Sequence, residues 1–251
     1  MYHYIRNFDK DFPFFNFLHQ KDFIKQNNFL LKKKDFIHLD ESLDLNFSEK
    51  KFLLTFDDGL KEHLKIAQFL KKRKIMGLFF IPSLPLEKSD FLSIHKIHLI
   101  FGKYTSDEII SFFKKFNIKF NYNRNVFSIF KKQKLFLNNK TKITENDKKI
   151  YLKTLLNNLD QKNSKFVKDI FNYCFSKKTQ KKIFKKFYLT KKDIIKIDKL
   201  GMKVGSHGSS HKVLSKLSYK HQLNDISKSL NFLGNILQKK INYFCFPYGG
   251  F

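Results

Sequence analysis

Two adjacent carboxylates, Asp57 and Asp58, close the apolar run in "LLTFDDGLKEH" and are followed at once by Gly59. Like charges side by side repel, the more so where water is scarce. A cation beside them removes the difficulty. Some way downstream, "VGSHGSSH" carries His207 and His211, at i and i+4. If a helical turn follows the strand before His207, both imidazoles project from one side, as a shared metal ion requires. There is no Glu inside the pair, so it is not the HExxH helix of zinc proteases. Gly205, Gly208, Ser209 and Ser210 instead suggest a tight turn where backbone can approach a ligand. One carboxylate with two histidines makes an ion site with open positions, suited to hydrolysis on Zn2+ or to oxygen chemistry on Fe2+. One aspartate then ligates the ion, and the other serves beside the activated water as a base. Taken alone, the Asp-Asp-Gly turn fits equally a helix N-terminus with an aspartate as its cap.

The elements that must bring these residues together are readable from periodicity. "MYHYI" reads as a short first strand, and "FPFFNFLHQKDFIKQ" has helix-like spacing. "KKFLLTF", Lys50 to Phe56, is an apolar strand ending at Asp57. Leu60, Leu64, Ala67 and Leu70 then mark one helical face, and "IMGLFFIP" is a second buried strand stopped by Pro82. Strand, helix and strand in close succession predict a βαβ unit and a parallel sheet. Residues 84–190 nearly lack glycine and carry helical periodicity, which predicts a helical insertion. Alternation resumes with a helix that Gly201 ends, the strand "MKVGSH", a long amphipathic helix with Ser218 as N-cap, and a last strand, "INYFCFPYGG". The three motifs "TFDDG", "SHGSSH" and "FPYGG" all follow predicted strands. Parallel α/β folds gather strand C-termini at one face, so residues distant in sequence converge there.

Composition adds limits. The 251 residues carry a formal charge of +28, with 32 Phe and no Trp. The lysines are spread in short runs such as "LKKKD" and "FKKQK", which reads as a solvated surface. That surface suits peripheral association with an acidic membrane, and no specific nucleic-acid partner is expected. The two cysteines, Cys174 and Cys245, exclude a disulfide framework and read as small buried hydrophobes. No secretory signal is seen at the start, and no apolar run approaches a membrane span, so the expected compartment is the cytoplasm.

The ordered motifs resemble those of the polysaccharide deacetylase family, the NodB-homology carbohydrate esterases. "TFDDG" matches its first motif, "HGSSH" its H-[ST]-x-x-H motif except at Gly208, and "FPYG" its third. The resemblance implies a single domain over residues 1–251, an α/β fold in the form of a distorted, incomplete (β/α) barrel with the helical insertion at 84–190. It implies that Asp57 is the general base and that Asp58, His207 and His211 bind a divalent metal, Zn2+ ahead of other transition ions. Pro247, Tyr248 and Gly249 would line the substrate groove, with the Tyr248 N–H at the oxyanion and His3 at the pocket mouth beside Tyr4. The implied reaction is hydrolysis of an N-acetyl group on an amino sugar in a polysaccharide or glycan precursor, releasing acetate.

Two departures stand out. Cys245 occupies the place of the family's base-orienting arginine. Nothing after Tyr248 matches the later motifs, including the histidine that protonates the leaving amine, so the chain is expected to be C-terminally incomplete. His3, His95, His98 and His221 are the candidates to replace that histidine. A catalytically inactive glycan-binding protein of the same fold is the alternative reading, and a basic nucleic-acid-binding protein a more remote one.

Overall fold

A computed structural model describes residues 1–32, 36–37, 51–118 and 145–249. Residues 119–144 of the expected insertion, Lys50 of the expected strand, Gly250 of the third motif and the lysine runs at 33–34 and 131–134 lie outside them. The chain divides into two compact units, one of Met1–Phe8, Asn16–Leu92 and Lys178–Phe251, the other of Asp9–Phe15 and Ser93–Lys177.

The elements run in order β1 (Ile5–Arg6), β2 (Leu18–His19), α1 (Gln20–Leu31), β3 (Leu54–Phe56), α2 (His63–Lys72), β4 (Gly77–Ile81) and α3 (Leu84–Lys88). The helices α4 (Ser93–Lys103), α5 (Ser106–Lys115), α6 (Glu145–Lys162) and α7 (Lys165–Cys174) follow. Then come α8 (Lys177–Phe187), α9 (Lys191–Lys199), β5 (Lys203–Ser206) and α10 (Tyr219–Leu237).

The first unit is built on a parallel sheet of order β3-β4-β5. β4 is buried along its whole length, as a central parallel strand must be when both faces are covered. Phe56 pairs with Phe79 across β3 and β4, and their rings stack at 4.7 Å, about the spacing of the strands themselves. Tyr2 stacks on the other side of Phe56 at 5.7 Å. This aromatic pile fixes the residue that immediately precedes the two aspartates. Two more parallel segments extend the sheet by single bridges, Tyr2 beside Phe56 and Phe244 beside Ser206. Five chain segments thus end at one edge, in the order Tyr2, β3, β4, β5, Phe244.

Several expected elements are shorter than their apolar runs. The strand expected from Lys50 is ordered as a strand only over Leu54–Phe56. The strand expected at "INYFCF" is reduced to the Phe244 bridge, because Pro247 has no N–H with which to continue pairing. The helix expected from Phe12 starts at Gln20, since Leu18 and His19 pair with Ile5 and Arg6 instead. Gly201, at φ +88°, ends α9 in the left-handed conformation expected after a helix. Ser218 does stand at the N-cap of α10, but its hydroxyl bonds His221 Nδ1 at 2.7 Å rather than the helix backbone.

The second unit is helical. Its core includes Ile97, Ile109, Phe113, Leu152, Leu156, Ile170 and Phe171, all buried. Thr105 and Glu108 form a reciprocal capping box that starts α5. Both cysteines are free thiols. Among the described residues no helix is long and apolar enough to cross a membrane.

Candidate metal centre

Each of the five segments delivers chemistry just past its sheet pairing. His3 follows Tyr2, Asp57 and Asp58 follow β3, Ser83 follows β4, His207 follows β5, and Cys245 to Tyr248 follow Phe244. Asp58 and Gly59 are both left-handed, at φ +78° and +62°, and turn the chain sharply off the sheet. The turn is strapped from outside: Leu189 N–H donates to Gly59 O and Lys61 N–H to Phe187 O, each at 2.9 Å. α2 begins only at His63, and its N-cap is Glu62, so neither aspartate caps it.

His207 and His211 do not sit on a helical turn. Gly208 and His211 are both left-handed, at φ +71° and +55°, and this irregular loop rather than a helix brings the two rings to 4.8 Å, at 71° to one another. Helical i,i+4 spacing would need an unbroken right-handed path, and the pattern of histidines alone could not reveal the loop. Asp58 Oδ1 lies 3.1 Å from His211 Nε2 and 3.7 Å from His207 Nε2. One donor atom from each of the three residues falls within 4.8 Å of the others, and all three side chains are buried.

The donor set fits a divalent ion. Ligands about 2.1 Å from one Zn2+ stand about 3.4 Å apart at tetrahedral angles, and the two contacts through Asp58 bracket that spacing. His207 Nδ1 lies 2.9 Å from the carbonyl oxygen of Cys245. A carbonyl only accepts, so Nδ1 carries the proton and Nε2 keeps its lone pair toward Asp58. Burial pushes the His207 imidazole down to about 4, with His211 beside it adding to the fall while Asp58 opposes it. A neutral imidazole is the form that binds metal.

Asp57 is separate from that set. Its Oδ2 is 3.9 Å from Cys245 Sγ and 4.0 Å from His3 Nε2, and its buried Oδ1 has no hydrogen-bond partner among the described residues. Burial pushes its carboxyl up to about 6, the His3 imidazole opposing the rise and the Asp58 carboxylate adding to it. Burial also raises the Cys245 thiol to about 11, with Asp57 and Asp58 adding to the rise, so this side chain brings no charge to the place where an arginine was looked for.

The third motif closes the site. Tyr248 and Gly249 are both left-handed at φ +62°, and the Tyr248 ring packs on His211 at 5.0 Å between centroids. Pro247 is buried, whereas Tyr248 is 43 % and the His3 side chain 41 % exposed. Asp58, His211 and Tyr248 are thus three non-glycine residues held in a conformation that costs on the order of 1 kcal/mol each and is concentrated at functional sites. Of the other histidines considered, His95 and His98 belong to α4 of the helical unit, and His221 pairs with Ser218.

His63 carries a supporting role that its sequence context did not signal. It is fully buried, and its Nε2–H donates to the His3 carbonyl at 2.9 Å, tying the first segment to α2. Burial pushes its imidazole down to about 4. The folded value lies below the unfolded one, so the contribution of neutral His63 is whole above about pH 6.5 and is lost as pH falls toward 4. Between about pH 7.5 and pH 4.5 the metal-free protein should lose about 2 to 3 kcal/mol through this group. Urea unfolding at the two pH values reads it: His63→Gln, which keeps a donor for the carbonyl, should lack that part of the slope.

Comparison with known proteins bears on this arrangement directly. The Polysaccharide deacetylase family model matches residues 144–251, which hold the histidine loop and the Pro-Tyr-Gly turn. Over this span, less than half of its length, the chain is similar to the polysaccharide deacetylase family. No protein of curated function matches this chain in sequence. Among solved structures, the Streptococcus pyogenes deacetylase PplD in complex with acetate superposes with a TM-score of 0.53 at 12 % identity, over 100 % of this chain and 73 % of that one. IcaB from Ammonifex degensii gives 0.50 at 16 % identity, over 98 % and 72 %. The Bacillus cereus polysaccharide deacetylase BC0361 gives 0.51 at 13 % identity, over 100 % and 50 %. At such identities the likeness establishes the fold, the distorted (β/α) barrel of NodB-type deacetylases, and the aspartate turn that precedes the matched span sits within that fold.

Proposed function

We propose that this protein is a deacetylase that removes the N-acetyl group of an amino sugar in a polysaccharide or glycan precursor, with Asp58, His207 and His211 holding a divalent ion, Zn2+ ahead of other transition ions. The supporting observation is the convergence of those three donors at the sheet edge, with the Asp57 carboxylate alongside but outside the set. A bound ion would supply Lewis acidity toward a carbonyl oxygen and a lowered pKa for water. Asp57 Oδ2 takes the proton of the attacking water. The Tyr248 N–H donates to the carbonyl oxygen as it gains negative charge. Pro247, Tyr248 and Gly249 on one side and His3 on the other orient the sugar. A C–O bond forms at the acetyl carbon, the C–N bond breaks, and the nitrogen leaves with a proton. Asp57, having taken the water's proton, is the group that delivers a proton to the departing nitrogen. The products are acetate and a free amino sugar, in keeping with the acetate bound by PplD.

Acetate release from N-acetylglucosamine oligomers tests the reading. The protein reconstituted with one equivalent of Zn2+ should release acetate, a chelator should stop it, and added Zn2+ should restore it. Ion-loaded protein that binds the oligomers and never releases acetate would favour the glycan-binding alternative instead.

A further inference from the structure

The buried stripe of α10 is Asp225, Ser229 and Leu233, at i, i+4 and i+8. Leu233 joins the hydrophobic core, as the amphipathic pattern requires. The other two are polar, and both reach the histidine loop. Asp225 Oδ2 accepts from the Ser209 N–H at 2.8 Å and its Oδ1 from the Ser210 N–H at 2.9 Å. Ser229 Oγ meets Ser206 Oγ at 2.8 Å, and Ser206 Oγ accepts from the Gly208 N–H at 3.1 Å. From the β4 side, the N–H groups of Ser83 and Leu84 donate to the carbonyls of Gly208 and Ser209 at 3.2 and 3.0 Å. Of these six bonds, the five that the loop itself makes all go to groups outside residues 207–211. The loop therefore takes its shape from its surroundings rather than from a turn bond of its own.

We infer that Asp225 is a positioning residue for the ion site: its carboxylate holds the loop in the left-handed path that sets His211 Nε2 against Asp58. The inference rests on the proposed reading of Asp58, His207 and His211 as ion ligands. Two adjacent amides need two acceptors, which a carboxylate supplies and a carboxamide does not. The fit is close. A Cβ on Gly208 would stand 2.6 Å from Asp225 Oδ2, and the residue is at φ +71°. Glycine is therefore required where the family motif carries a hydroxyl residue: the acid has taken the space. Without the carboxylate, His211 has to be drawn into its left-handed conformation at the moment of binding, and the ion bears that cost. Loss of such an orienting partner weakens metal sites by about 10- to 100-fold.

The test is Zn2+ affinity, by competition with a chelating dye, on metal-free protein, together with the unfolding midpoint of the same metal-free samples. Asp225→Ala should bind Zn2+ about 10- to 100-fold more weakly than the parent, and Asp225→Asn, which keeps one acceptor, should fall between them. Leu233→Ala, in the same buried stripe, should lower the unfolding midpoint at least as far while leaving affinity within about threefold. If Asp225→Ala does not fold, Asp225→Asn against Leu233→Ala decides. Parental affinity in a folded Asp225 variant, or equal weakening in Leu233→Ala, overturns the inference. A parent protein that binds no Zn2+ instead removes the ion reading itself, and the positioning role with it.

Discussion

Changing His207 and His211 together to alanine should take bound Zn2+ from about one per chain to under a tenth and should bring acetate release down to background, at least about 10⁴-fold. The size follows from the donor count. Two of three protein ligands disappear, and one carboxylate cannot hold a transition ion against buffer. The variant also takes two imidazoles away from the buried Asp58 carboxylate, 3.1 and 3.7 Å from it in the parent. A buried charge that loses its partners destabilises the fold by about 3 kcal/mol or more. Near-UV circular dichroism on the purified variant therefore belongs beside the ion measurement. An Asp58→Asn change added to the pair should recover part of the lost stability and none of the ion. Equal metal in parent and double variant ends the case for this site.

Asp57→Asn should separate chemistry from binding. The substitution is isosteric, keeps the Asp57 N–H bond to the Tyr2 carbonyl, and removes only the proton acceptor. Loss of a general base lowers kcat by about 10²- to 10⁴-fold, and KM and ion content should stay near the parental values. The comparison discriminates between the two aspartates. If Asp57→Asn loses its ion while Asp58→Asn keeps it, the ligand and the base have exchanged places. If both variants keep full activity, neither carboxylate takes part.

The convergence of Asp58, His207 and Tyr248 was legible because parallel folds gather strand ends at one face, and apolar runs followed by Asp-Asp-Gly, His-Gly and Pro-Tyr-Gly mark such ends without further help. What was not legible falls into two kinds. Strand length was overstated at "KKFLLTF" and "INYFCF", because an apolar run reports burial and not pairing. Of the two readings open for His207 and His211, a helical turn or a tight glycine-bearing turn, the structure has the second, and its path was not legible for a subtler reason. Left-handed φ at a histidine is imposed by tertiary bonds, chiefly from Asp225 and from the backbone at Ser83 and Leu84, and no local pattern announces them. Asp225 itself had one faint signal. In α10 the stripe that ends in Leu233 begins with an acid and a serine, and a polar start to a buried stripe asks for partners. His63 gave none: a histidine opening a helix is ordinary until its carbonyl partner is known.

The sheet edge that bears the site is unevenly anchored. Asp58 and His207 emerge from strands paired over three or four residues with β4, whereas His3 and Tyr248 emerge from segments that touch the sheet at one bridge each. Opening free energy follows such anchoring, so the hub of the barrel mouth is durable and its rim is cheap to loosen. On the proposed reading, the positions assigned to the sugar can therefore drift, and acceptor preference with them, while the three donors behind them stay as they are.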